Sequence, residues 1–504
     1  MSVDGPPPLI RIDRAEQLDR AVIGAVARGE RRIVLSDGLL AAVAANRRAM
    51  LDDLAGDQPV YGVNTGMGAM SGVRLDADAQ ARQQNNLMVG RAVGSAPWLR
   101  RAEARALLAA RLRTLLHPAA GASPDLCRHL LALLDADVVP AIPLRGGAAG
   151  EIIPLAHAGA VLIGIGQVLD RAGAAIDAAP ALAAAGLSPR PFEAKEGVAF
   201  LEGVPGLTGL AILAAAETRA LLTQITAATA ASHAVLRASH DPLHPALADS
   251  PELADVLTTL RTLLNPDSPP IPGSAPGAGG VLAGVGAGRA LQAPVSFRVT
   301  APAIAVAVRA VAGVEEAVDR ALGAVTDSPA HLDGRFVGTF GFAGTDLVAA
   351  VSSLSTALVH LAELGTARLH RLLDGALTGL PRQLSDYPGL HAGMVTVHKR
   401  AVGVTHRLRR FAMPALLGAM ETSLGQEDVQ SFGFEAAECL GEAIAGVRDV
   451  LACELLAVHQ GNLLGAVVPA GLDRIAEVVP EGTADRAFGR DLDRIIHYLT
   501  FSST

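Results

Sequence analysis

Aromatic side chains are scarce in this 504-residue chain, which has one Trp, three Tyr and eleven Phe. The net charge is −8 and no tract is rich in Lys or Arg, so there is neither a stacking platform nor a basic surface for nucleic acid. Cysteine is scarcer still. Cys127, Cys439 and Cys453 lie far apart, form neither a disulfide framework nor a CxxC pair, and suit a reducing compartment. The opening MSVDGPPPLIRIDR lacks the apolar core of a secretory signal, so a cytoplasmic location is expected. Long apolar runs are nearly absent too. Ile152–Leu169 is uncharged and about long enough for a bilayer, but it carries Pro154, His157 and several glycines and reads as a buried helix, so no membrane partner is expected. Generic catalytic signatures are missing: there is no Walker loop, no GxGxxG after a strand, no GxSxG and no HExxH. His233, the Ser239-His240-Asp241 run and His244 read as solvated histidines near a proline turn, so no metal is expected.

What the chain has in abundance is small and aliphatic. Half its residues are hydrophobic and 53 are Gly, a composition that excludes disorder and, at this length, predicts a large core. Helical periodicity dominates. Leu347, Val351, Leu354, Leu358 and Leu361 recur at three- and four-residue steps, as do Val311, Val314, Val318 and Leu322, each set making one apolar stripe. Such stretches run from about Leu207 to Leu264, Thr300 to Leu373 and Thr396 to Val468, and predict a mainly α protein built as a bundle of long helices. The clearest strand signal is Arg32-Ile33-Val34-Leu35. Asn265–Gly280 is too rich in Pro and Gly for helix and reads as an exposed or subunit-facing loop, while Arg145–Gly150 and Gly334–Gly344 read as turns. The division expected is an N-terminal mixed α/β domain over 1–200 and a helical bundle over 201–504.

Specific segments go further. Tyr61-Gly62-Val63-Asn64-Thr65-Gly66-Met67-Gly68 is followed in order by Gln84-Asn85-Asn86-Leu87, Ala92-Val93-Gly94, Pro154-Leu155-Ala156-His157 and Lys195-Glu196-Gly197. Then come Gln292 with Ser296 and Arg298, Asp327-Ser328-Pro329, Gly338 with Phe340, and Gln426-Glu427-Asp428. This series resembles the histidine and aromatic amino acid ammonia-lyases over nearly the whole chain. The resemblance implies the long-helix fold of that superfamily, a homotetramer whose active sites combine several subunits, and a small-molecule substrate. It also implies roles: Tyr61 as proton-abstracting base, Arg298 pairing with the substrate carboxylate, and Asn64, Phe340, Gln292, Gln426 and Glu427 at pocket positions.

The resemblance breaks at its chemical centre. The family builds its electrophile, methylidene-imidazolone, from an Ala-Ser-Gly backbone whose serine hydroxyl leaves. Here the segment reads Ala148-Ala149-Gly150, and nothing from Arg145 to Glu151 is Ser, Thr or Cys, so no prosthetic group and no other cofactor is expected. Other matching positions have changed: Val295 replaces a Tyr, Glu202 an Asn and Arg91 a His. The expectation is an enzyme of specialised metabolism that works without the electrophile, with Tyr61, Glu427 and Glu202 doing acid–base work and Arg298 and Arg91 binding substrate. It would carry out elimination, Michael-type addition or cyclisation on a carboxylate-bearing, amino-acid-derived substrate that supplies its own activation. An inactive homologue serving as a binding or scaffold subunit, and a Ser-to-Ala variant of a conventional lyase, stay open. So do plainer roles for single residues: a phenol capping a glycine turn for Tyr61, packing for Phe340, a helix-end contact for Gln426, and a structural cation for Arg91.

Overall fold

The computed structural model describes residues 7–56, 58–148, 150–265 and 292–501. The loop expected at Asn265–Gly280 lies outside these residues from position 266 on, as does Ala149. The chain forms two compact units, each built from three separate stretches of sequence. One comprises residues 1–215, 313–352 and 414–438; the other comprises 216–312, 353–413 and 439–504.

The first unit holds all the described β-strands. Leu9–Ile12 pairs in parallel with Arg32–Leu35, the strand read from alternation, in the register Leu9 to Arg32 through Ile12 to Leu35. Val139–Pro140, Gln167–Leu169 and Ala175–Asp177 form an antiparallel sheet in that order, and Ala330–Leu332 pairs with Arg335–Val337 in a hairpin whose second strand falls within Gly334–Gly344, the segment read as a turn. Helices do the rest. Ser36 accepts from Leu39 N and starts Asp37–Leu54, and Asp76 accepts from Ala79 N and starts Ala77–Arg91; each short side chain satisfies an otherwise orphaned helix donor. Ile152–Leu162 is a helix of 11 residues, mostly buried and too short to cross a bilayer.

The small residues have a clear use in this unit. A Cβ added at Gly209, on the helix Pro205–Leu236, would stand 2.6 Å from the backbone carbon of Ala106 on the helix Arg101–Leu115. Only hydrogen fits between these two backbones. Alanine on the facing helix serves the same approach, since Ala104, Ala106, Ala109 and Ala110 are all fully buried.

The long periodic stretches fold as read, with breaks. Thr300–Gly323, Thr345–Leu372 and Gly433–Leu463 are long helices, and the stripe from Leu347 to Leu361 is no more than 3% exposed at any of its five positions. The runs 196–236 and 341–372 are long and apolar enough to span a membrane by length and composition, but 89% of the first run's most apolar window is buried within the protein. In the second unit Arg368, on Thr345–Leu372, donates from Nε and Nη2 to the two carboxylate oxygens of Glu454 at 2.7 Å, and from Nη1 to Thr300 Oγ1 at 2.8 Å. Ser232 Oγ donates a third hydrogen bond to Glu454 at 2.7 Å, so one buried ion pair joins four long helices.

His233 corrects the solvated-histidine reading. It is 1% exposed, stands edge-on to Phe297 at 5.1 Å, and is pushed down to about 3 by burial, so it is a neutral core side chain. His244 is exposed and His240 half-buried, and no group of His, Cys, Asp and Glu among the described residues is arranged to hold a metal.

Candidate active site

Tyr61 sits on a tight loop that its own neighbours hold. Asn64 Oδ1 accepts from Val60 N at 2.7 Å and Asn64 Nδ2 donates to Gln58 O at 2.9 Å, closing the loop on itself. Asn64 is 5% exposed and its amide is engaged on both sides, so it shapes the Tyr61 loop and is not on the cavity wall where the sequence reading put it. Gly66 has no alternative: a Cβ there would lie 2.3 Å from Met70 O. Gln83 Nε2 donates to Thr65 O and Gln84 Nε2 to Gly62 O, anchoring the loop to the helix Ala77–Arg91. Gln84 Oε1 accepts in turn from Val198 N, which ties in the segment after Lys195-Glu196-Gly197.

The loop forms one wall of a cavity of about 430 Å³. Tyr61, Met67 and Met70 line it on one side, and Ala148, Ile152 and Ile153 on another. Thr422, Ser423 and Glu427 come from a third segment, and Arg91 from the end of its helix. The cavity therefore gathers Tyr61, Ala148 and Glu427, one residue from each of three quoted segments spread over more than 350 positions of the chain.

A family model for aromatic amino acid lyases matches residues 18–475. The chain belongs to that family. Histidine ammonia-lyase of Deinococcus radiodurans is 32% identical over 96% of this chain and 92% of its own length, and a probable histidine ammonia-lyase of Halobacterium salinarum is 33% identical over 95% and 93%. The tyrosine aminomutase of Streptomyces globisporus shares the fold, with a TM-score of 0.87 at 24% identity covering 98% of this chain and 97% of that one. The mainly α, long-helix architecture expected from periodicity is thus the fold of this lyase family.

Electrostatics at the aromatic amino acid lyase cavity run against the simplest expectation for Tyr61. Its Oη accepts the Gly68 N–H at 2.7 Å, which favours a phenolate, and Arg91 pulls the same way. Burial is the larger effect, Glu202 and Glu427 add to it, and the phenol is held above its ordinary pKa. The resting side chain is therefore a neutral phenol. Glu427 is half-buried and accepts from Thr422 Oγ1 at 2.7 Å, which fixes the carboxylate on the wall.

The other expected residues are placed as follows. Glu202 is 7% exposed and lies behind the wall, its Oε2 packed 3.3 Å from where a Gly150 Cβ would stand. Phe340 is 89% exposed and does not line the cavity, while Phe342 packs toward Gly150 instead. Gln426 is exposed, and its backbone N–H closes a turn on Ser423 O. Arg298 and Gln292 belong to the second unit, where both are exposed and Arg298 donates to Gln292 Oε1 at 2.8 Å.

Beneath the cavity lies a buried charged layer that the sequence reading did not assemble. Lys195 pairs with Asp327, joining the Lys-Glu-Gly and Asp-Ser-Pro motifs. Arg111, 1% exposed, donates to the carbonyls of Ala199 and Glu202. Glu151 accepts from Gly206 N and Leu207 N, both at 2.6 Å, at the start of the long helix Pro205–Leu236. Charged residues separated by up to 132 positions carry no local pattern; the signal present was a lysine in one quoted motif and an aspartate in another.

Burial raises Glu202 to about 8 and Glu151 to about 7, with Asp327 and Glu427 adding to the effect at Glu202. The folded protein therefore holds protons that the unfolded chain releases near pH 4.5. This contribution to stability is complete below that pH and is lost as pH rises through 7 to 8. The melting temperature should fall as pH rises from about 4.5 to about 8, and Glu202→Gln, which keeps the neutral shape, should flatten the fall. Thermal melts at a series of pH values read both outcomes.

Proposed function

We propose that this chain is a lyase-family enzyme that works without methylidene-imidazolone. The observation that carries the reading is the sequence Ala148-Ala149-Gly150, whose Ala148 lines the cavity that keeps Tyr61 and Glu427. The residues present do not fit the group, because alanine has no β-hydroxyl to expel and the flanking residues offer no substitute. Tyr61 moves the proton, Glu427 is its carboxylate partner on the wall, and Glu202 acts through Tyr61 from the buried layer. Arg298 binds the substrate carboxylate. The active protein is a cytoplasmic homotetramer in which another copy supplies Arg298 to the site.

The substrate is a carboxylate-bearing, amino-acid-derived molecule, in keeping with relatives named for histidine and tyrosine. It carries an acidic C–H, a good leaving group or a conjugated acceptor, because the protein brings no electrophile to acidify an ordinary β-proton. Elimination, Michael-type addition and cyclisation all meet that condition, and specialised metabolism is the natural setting. The exposed Phe340 and the inward-turned Asn64 favour a second reading, an inactive homologue retained as a binding subunit.

Intact mass spectrometry tests the central claim. The mass should equal that of the 504-residue sequence, and incubation with histidine, phenylalanine or tyrosine should release no ammonia above background. A mass short by two waters overturns the reading. Binding without turnover across candidate substrates supports the binding subunit.

A further inference from the structure

Arg91 ends the helix Ala77–Arg91 and reaches the cavity wall, where it is the one cation among the described lining residues. Neighbouring arginines of the same unit are paired: Arg145 with Glu438 at 2.6 Å, Arg190 with Glu196 at 2.9 Å, and Arg47 with Glu193 at 3.2 Å. Arg91 has no such pair among the described residues. Its side-chain contact is Met67 Sδ, 3.9 Å from Nη2. Glu427, the nearest carboxylate on the wall, is held by Thr422. Most of the remaining surface is apolar, from Met67, Met70, Ile152 and Ile153.

A guanidinium has five donors and no acceptor capacity, and leaving it half-buried without a partner costs free energy. Burial indeed holds Arg91 below its ordinary pKa, and only Glu202, Tyr61 and Glu427 act against that from a distance. An incoming oxyanion would relieve the cost. A planar oxyanion fits best, because the fork of donors matches two oxygens at once.

We propose that Arg91 is a specificity-determining residue that holds an anionic group of the substrate, a carboxylate or comparable planar oxyanion, beside Tyr61. This rests on the reading of the cavity as an active site and adds to it a substrate class: molecules whose acidic group, at the end of an apolar stem, is preferred over a neutral isostere. A glutamate-like side chain or a carboxyl-bearing aromatic ring meets that description. A neutral imidazole or phenyl ring does not.

Isothermal titration of the full-length protein with two isosteric pairs tests this: L-glutamate against L-glutamine, and 4-carboxy-L-phenylalanine against 4-carbamoyl-L-phenylalanine. In at least one pair the acid should bind about tenfold or more tighter than the amide. Arg91→Gln should reduce that ratio to about twofold or less with the amide affinity unchanged. Arg91→Lys should keep part of it, since it retains the charge but loses the fork. A wild-type ratio near one, no binding of any of the four probes at millimolar concentration, or a ratio that survives in Arg91→Gln overturns the proposal. Salt gives a measurement free of mutation: the acid's affinity should fall with ionic strength while the amide's holds, and a salt-independent acid overturns the proposal as well. An intact ratio with no turnover of any substrate defeats the enzymatic reading alone, and Tyr61-dependent turnover with a ratio near one defeats the Arg91 assignment alone.

Discussion

Tyr61→Phe is expected to lower turnover by about 10²–10⁴-fold, the usual worth of a positioned acid–base group. Phenylalanine keeps the ring and removes only the oxygen that accepts from Gly68 N. The loop itself is held by Asn64, Gln83 and Gln84, so folding should change little, about 1 kcal/mol for one lost hydrogen bond. The assay need not await the physiological substrate. Deuterium uptake from solvent into amino-acid-derived acids with an activated C–H reads proton abstraction directly, and the variant should lose it while its melting temperature stays close to wild type. Because burial and the carboxylates of Glu202 and Glu427 hold Tyr61 above its ordinary pKa, the rate should climb with pH through the alkaline range as phenolate forms. Exchange that survives in Tyr61→Phe removes this residue from the chemistry.

Arg368→Met is the second large effect, on stability. Arg368 and Glu454 are each 1% exposed, and the pair is bidentate, with Thr300 and Ser232 completing its hydrogen bonds. Methionine fills much of the volume but leaves Glu454 charged and unpaired in the core, at a cost of about 3–5 kcal/mol. Replacing both residues, Arg368→Met with Glu454→Met, should recover most of that loss, because the penalty belongs to the stranded charge and an apolar pair strands none. Chemical denaturation of the two variants decides it. A double variant no more stable than the single one would mean that the hydrogen bonds to Thr300 and Ser232 carry the stability.

Both predictions depend on contacts of different legibility. The helices were readable because an apolar stripe repeats every turn, and the stripe from Leu347 to Leu361 is buried along its length. The strand Arg32–Leu35 was readable for the same reason at a period of two. The order of motifs was enough to place the chain among the aromatic amino acid lyases. What the motifs do to one another was not readable. Gln84 links the Tyr61 loop to Val198, Asn85 exchanges hydrogen bonds with Phe192, and His157 Nε2 accepts from Gly94 N at 3.0 Å. Each is a quoted motif residue whose use is to hold another segment in place.

The sequence alone determined the periodic helices, the family and the residue at position 149, because side-chain order and the absence of a hydroxyl are local facts. Tertiary structure decided everything that depends on burial and partners. It made Tyr61 a neutral phenol, turned Asn64 into its own loop, set Phe340 in solvent, and put Glu202 behind the wall. It also left Arg91 facing the cavity without an ion-pair partner among the described residues while giving other arginines of the same unit theirs. The physical reason is the same in each case. Desolvation and ion pairing are set by what arrives from distant parts of the chain, as Asp327 arrives at Lys195 from 132 residues away, and a sequence pattern records only which face of an element will be covered.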